Sequence, residues 1–132
     1  MNVDKAAVIG AGSWGTALAI LLAENTEDIV LWGRDPKVVH DINYKHANLQ
    51  YLPEDRVPKC VRASTDFAEL AGSQLVVVVT PSAAIREVMT RAMPAMNLRQ
   101  DVPIVSASKG IEADSGKRMT QVLAEVCPGH PV

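Results

Sequence analysis

The string Gly10-Ala11-Gly12-Ser13-Trp14-Gly15 spaces three glycines as a diphosphate-binding turn requires. Glycine is common in turns, so the string alone carries little. Here an apolar run ending at Ile9 precedes it and a run rich in Ala, Leu and Ile follows, which is the strand–turn–helix setting that gives the spacing meaning. Gly10 permits the tight turn, Gly12 lets backbone approach a pyrophosphate, and Gly15 lets the helix pack on the strand. The helix start then turns free N–H groups and a positive dipole end toward the phosphates. Ser13 adds a hydroxyl that can donate to phosphate or cap the helix.

Nucleotide-binding units of this kind place an acid about 20 residues beyond the glycines, where it holds a ribose 2′-hydroxyl. The string at that distance is Gly33-Arg34-Asp35-Pro36. Asp35 has the spacing, but standing before Pro36 it reads as a helix N-cap with proline at the first helical position. Gly33 occupies the acid's place and leaves room. Arg34 can pair through its planar guanidinium with a 2′-phosphate, or be a solvated surface arginine. The residues therefore lean toward NADP over NAD. Trp14, unusual beside a phosphate loop, either roofs the nicotinamide side or packs.

Two further strand ends are placed for chemistry, because ligands of open α/β sheets bind beyond the carboxyl ends of strands. Thr80-Pro81-Ser82 follows Leu75 and four valines; its backbone, Pro81 included, lines the ligand or forms an ordinary proline turn. Ser106-Ala107-Ser108-Lys109-Gly110 ends another strand. Lys109 there is either a cation held in the crevice or a surface lysine. His40, His46 and His130 have no metal spacing and read as structural or solvated. Cys60 and Cys127 form no CxxC pair, which points to neither a disulfide framework nor a zinc site and to a reducing compartment.

The elements that must position these residues alternate. Strands are expected over 5–9, 29–32, 60–63, 75–79 and 103–106. Helices are expected over 13–25, with Asn25 as a left-handed cap, then 36–45, 83–93 and 115–126, with a helical turn over 64–70. Residues 47–59 read as loop. This βαβ order implies a parallel sheet wrapped by right-handed crossovers. The 132 residues suffice for one domain, 1–132, with a real core. A hydrophobic share of 48% excludes a disordered chain. A net charge of −2 and 4% aromatics argue against nucleic-acid binding. No apolar run approaches the roughly 20 residues of a membrane span, and no secretory signal is legible, so a soluble cytoplasmic protein is expected.

Five strings in order, GAGSWGTALA from Gly10, LWGRD from Leu31, NLQYLP from Asn48, TPS from Thr80 and SKGIE from Ser108, resemble the bacterial NAD(P)-dependent glycerol-3-phosphate dehydrogenases over essentially the whole chain. The resemblance implies a Rossmann-type doubly wound parallel sheet. It implies an oxidoreductase that interconverts sn-glycerol 3-phosphate and dihydroxyacetone phosphate with NADP or NAD, feeding glycerophospholipid synthesis. By it Ser13, Trp14 and Arg34 contact the cofactor, Tyr51 lies near it, and Lys109 touches both the nicotinamide region and the phosphorylated substrate. The family continues into a helical domain that carries the general acid/base, beyond residue 132, so this stretch by itself is expected not to turn over substrate, and Val132 would open a sixth strand. The expected partner is the small-molecule substrate, with a homodimer left open. A lone dinucleotide-sensing module without catalysis is the competing reading.

Overall fold

Ala6–Ile9 and Ile29–Leu31 contain no side chain suited to water, so such segments must be strands covered on both faces. In the computed structural model, which describes residues 2–132, they are β1 (Lys5–Ile9) and β2 (Asp28–Trp32). With β5 (Val61–Ser64), β6 (Leu75–Val78) and β7 (Ile104–Ser106) they form one parallel sheet in the order β5-β2-β1-β6-β7. The strand order reverses between β1 and β6, which opens a crevice at their carboxyl ends.

Alternate strand residues point to opposite faces, and two core clusters divide along that rule. Ala7, Ile9, Val30, Trp32, Val76 and Val78 meet α3 (Ile85–Met96), α4 (Met119–Val126) and a 3-10 turn, Phe67–Leu70. Ala6, Val8, Ile29, Leu31 and Val77 meet α1 (Ser13–Leu22) and α2 (Pro36–Lys45). Trp32 stacks on Phe67 with ring centroids 4.3 Å apart and donates from Nε1 to the Thr65 carbonyl at 3.0 Å, anchoring the carboxyl end of β2.

Several expected boundaries move. Residues 47–59 are not plain loop: β3 (Ala47–Asn48) and β4 (Leu52–Arg56) pair as an antiparallel hairpin. Residues 53–56 are exposed, so no hydrophobic alternation marks the strand. Helix α1 stops at Leu22, and Asn25 does not cap it; Ala23 follows in right-handed geometry, and the left-handed caps are His46 after α2 and Asn97 after α3. Helix α3 begins later than residue 83 and passes through Pro94. The proline removes the bond to the carbonyl of Thr90, an exposed residue where water can replace it. Helix α4 begins at Met119 rather than 115, because residues 112–117 close a turn instead: the Glu112 amide donates to the Lys117 carbonyl and the Gly116 amide to the Glu112 carbonyl, each at 2.8 Å.

Four strands shift by a residue: β2 starts at Asp28, β5 runs one residue later than expected, β6 ends at Val78, and β7 starts at Ile104. The exposed edge of β5 is closed by a side chain. Asn43 of α2 accepts from the Ala63 amide at 2.8 Å and donates to the Ala63 carbonyl at 2.9 Å, taking the place of a strand.

Candidate functional site

Gly10 has φ +126°, a conformation that favours glycine, and a Cβ there would sit 2.9 Å from the carbonyl carbon of Val79. A Cβ on Gly15 would collide with the Gly10 carbonyl. These two glycines therefore let β1, β6 and α1 converge at one point. Gly12 differs: a Cβ there would meet nothing within 4 Å, so its surface faces open space. Gly12 is the N-cap of α1 and uses no side-chain cap, so Ser13 is the first helical residue and does not serve as the cap. Among the described residues, the amides of Gly12, Ser13 and Trp14 donate to no protein group. The result is an open cradle of N–H donors at the positive end of a helix, suited to a diphosphate.

The carboxyl end of β2 forms the second wall. Asp35 Oδ1 accepts from the Lys37 amide at 2.9 Å and caps α2, as its place before Pro36 required. Gly33 is glycine for a reason other than space for a ligand: a Cβ would lie 2.7 Å from the Ala11 methyl, so Gly33 lets β2 lie against the glycine turn. Arg34 is exposed and forms no ion pair among the described residues.

The third wall joins the ends of β6 and β7. Pro81 is exposed at its rim. Ser108 Oγ donates to the Thr80 carbonyl at 2.5 Å, and the Ala107 amide donates to the Val78 carbonyl at 2.8 Å. Beyond Lys109, Glu112 accepts from Arg86 of α3 through Nε at 2.8 Å and Nη2 at 3.0 Å, and from Ser115 Oγ at 2.5 Å. The Arg86 fork, then the Ser115 hydroxyl, hold the Glu112 carboxyl down to about 2, well below the ordinary carboxylate range. Lys109 and Gly110 thus form the exposed tip of a loop pinned on both sides, to β6 and to α3.

All the residues singled out in the sequence line one cleft of about 970 Å³: Gly10, Gly12, Ser13, Trp14, Gly15, Arg34, Tyr51, Pro81 and Lys109. Trp14 is 60% exposed and belongs to neither core cluster of this chain. Tyr51 reaches the cleft from the hairpin turn.

Three side chains carry roles at the site that the sequence alone did not assign. Asn48, fully buried, donates through Nδ2 to the Ala11 carbonyl at 3.0 Å and to Thr16 Oγ1 at 2.8 Å, and accepts from the Tyr51 amide at 3.2 Å. Thr16 Oγ1 in turn donates to the Gly12 carbonyl at 2.7 Å. Thr80, 5% exposed, lines the cleft with a buried hydroxyl that has no partner among the described residues. The signals available were the strings that hold these residues, GAGSWGTALA, NLQYLP and TPS.

Among the described residues, no cluster of His, Cys, Asp and Glu is placed to hold a metal. No helix among them is long and apolar enough to cross a membrane.

A parallel sheet in this order, with a glycine turn at its switch point, defines a Rossmann-type α/β domain. Residues 5–132 match the family model described as NAD-dependent glycerol-3-phosphate dehydrogenase N-terminus, and the chain belongs to that family. It is 42% identical over 129 residues to the protein named glycerol-3-phosphate dehydrogenase [NAD(P)+] 2 of Sphingopyxis alaskensis, covering 97% of this chain and 38% of that protein. It is 44% identical over 128 residues to glycerol-3-phosphate dehydrogenase [NAD(P)+] of Enterococcus faecalis, covering 96% and 37%. The crystal structure of glycerol-3-phosphate dehydrogenase from Coxiella burnetii superposes with a TM-score of 0.85 at 32% identity, covering 96% of this chain and 38% of that one. The chain therefore spans less than two fifths of the length of these relatives.

Proposed function

We propose that residues 1–132 are one cofactor-binding domain that takes NADP(H) or NAD(H) in the cleft, within an oxidoreductase that interconverts sn-glycerol 3-phosphate and dihydroxyacetone phosphate. The observation that carries this reading is the cradle at Gly12. Its surface is open, three amides there lack protein partners, and α1 directs its positive end at the same place. A pyrophosphate fits that donor set. The bound nicotinamide supplies hydride chemistry; the residues of this chain bind, orient and screen.

In this reading Gly10, Gly12, Ser13 and Gly15 form the pyrophosphate turn. Trp14, Tyr51 and Pro81 screen the cleft from water. Arg34 offers its fork to a 2′-phosphate, with Asp35 engaged as a cap and no acid at position 33 to repel the phosphate. NADP(H) is therefore favoured over NAD(H). Lys109, at the tip of a doubly pinned loop, contacts the cofactor and anchors the substrate, providing positive charge where an alkoxide develops. Proton transfer belongs to a residue outside this chain, following the family likeness. Supply of glycerophospholipid synthesis follows the same family likeness, and cytoplasmic placement belongs to the same reading. Calorimetric titration of the purified chain with NADPH tests it. Saturable one-site binding that is lost in Gly12→Val is expected; absence of dinucleotide binding refutes it.

A further inference from the structure

We propose that Thr16 and Asn48 are positioning residues that aim the Gly12 and Ser13 amides at the pyrophosphate and couple that aim to the hairpin carrying Tyr51. The inference rests on the functional reading above and goes beyond it, because neither side chain lines the cleft.

The argument follows from peptide geometry. A trans peptide is planar, and its C=O and N–H point in opposite directions. The chain contains no cis peptide among the described residues. The Ala11 carbonyl accepts from Asn48 Nδ2 at 3.0 Å, so the Gly12 N–H in the same plane points away from Asn48. The Gly12 carbonyl accepts from Thr16 Oγ1 at 2.7 Å and from the Thr16 amide at 3.0 Å, so the Ser13 N–H points away from Thr16. Two consecutive peptide planes are thus held from behind, and both donors face forward.

Glycine at 10 and 12 leaves this segment more conformational freedom than side-chain-bearing residues there would, so such orientation has to be imposed from outside. The brace that imposes it is buried and fully used. Asn48 is 0% exposed and Thr16 is 0% exposed. Asn48 Nδ2 also donates to Thr16 Oγ1 at 2.8 Å, which leaves the Thr16 hydroxyl proton for Gly12 and sets the direction of the whole relay. Asn48 Oδ1 accepts from the Tyr51 amide at 3.2 Å. The amide plane of one asparagine therefore ties the glycine turn to the hairpin 37 residues away in sequence. A donor array held in place before the ligand arrives avoids the ordering cost of binding, which is how a side chain behind the site raises affinity.

The test uses three probes on the purified chain: NADPH, ADP-ribose, which carries the pyrophosphate without nicotinamide, and adenosine 2′-monophosphate, which has no pyrophosphate. Thr16→Val keeps the shape and removes the hydroxyl. It is expected to weaken NADPH and ADP-ribose roughly tenfold and to leave adenosine 2′-monophosphate within about twofold. Thr16→Ser restores the hydroxyl and is expected to return both pyrophosphate ligands to near wild-type affinity. Asn48→Ala is expected to reproduce the selective loss. In amide NMR spectra, the ADP-ribose-induced shifts at Gly12 and Ser13 are expected to shrink in Thr16→Val.

Unchanged NADPH affinity in Thr16→Val overturns the inference while leaving the functional reading intact. Equal weakening of all three probes also overturns it, since that is the mark of general damage. A wild-type chain that binds neither NADPH nor ADP-ribose overturns the functional reading and the inference with it.

Discussion

Gly12 and Gly15 lie three residues apart in one turn, and the structure assigns them opposite sensitivities. At Gly12 a Cβ meets nothing within 4 Å, and φ of −80° is open to any residue. Gly12→Val therefore loses only N-cap quality, about 1 kcal/mol of stability or less. Its isopropyl group, however, fills the space through which a pyrophosphate must approach, and an affinity loss of at least about 100-fold, or roughly 2.8 kcal/mol, is expected. At Gly15 the added methyl overlaps the Gly10 carbonyl oxygen and lies 2.9 Å from its carbon. That carbonyl lies in the Gly10–Ala11 peptide plane, at the point where β1, β6 and α1 converge, so either this plane turns and takes the glycine loop with it, or helix α1 moves. Overpacking of this kind costs about 3 kcal/mol where backbone cannot relax, and replacing glycine inside a helix returns about 1 kcal/mol. The net is about 2 kcal/mol, or a melting point lower by roughly 6–8 °C for a chain of this size. Circular-dichroism melts and calorimetry with NADPH separate the two effects. A Gly12→Val chain that binds NADPH like wild type, or a Gly15→Ala chain that melts no lower than wild type, refutes the assignment of roles.

Arg34→Ala is expected to weaken NADP(H) by roughly tenfold or more, the value of one charge-assisted hydrogen bond or pair, and to leave NAD(H) nearly unchanged; equal losses for the two cofactors, measured by calorimetry, remove the 2′-phosphate argument. In an intact protein with the proposed oxidoreductase activity, Lys109→Ala is expected to cut turnover by about 10²–10³-fold with an unchanged melting point, since Lys109 is exposed at a loop tip; steady-state assays that show wild-type turnover exclude it as the substrate anchor. The Glu112 carboxyl, held at about 2 chiefly by the Arg86 hydrogen bond, has a lowered folded-state value. Its contribution is accordingly complete above the ordinary value of 4.5 and is lost as pH falls through about 2. The melting-point gap between wild type and Glu112→Gln should be constant from pH 7 to about 5 and close toward pH 2, and a gap that does not narrow in acid contradicts the Arg86–Glu112 pairing.

The legible parts of this protein are those whose cause is local. The glycine turn, the apolar strands before and after it, and the Asp35-Pro36 helix start follow from residues within a few positions of one another, and each forms where expected. The assembly of Arg34, Pro81 and Lys109 around that turn also followed from pattern, because a βαβ sheet brings the carboxyl ends of its strands to one edge. What sequence left unmarked depends on partners distant along the chain. The β3–β4 hairpin is exposed on its outer strand and has no apolar period to announce it. Asn48 meets Ala11 across 37 residues, and Arg86 meets Glu112 across 26. The need for glycine at 33 comes from the Ala11 methyl, 2.7 Å from where a Cβ would lie, a neighbour 22 positions back that the local string does not reveal. A buried polar group shows its role only through the partner that satisfies it, and that partner is chosen by the packing of the sheet, which no local stretch of residues specifies.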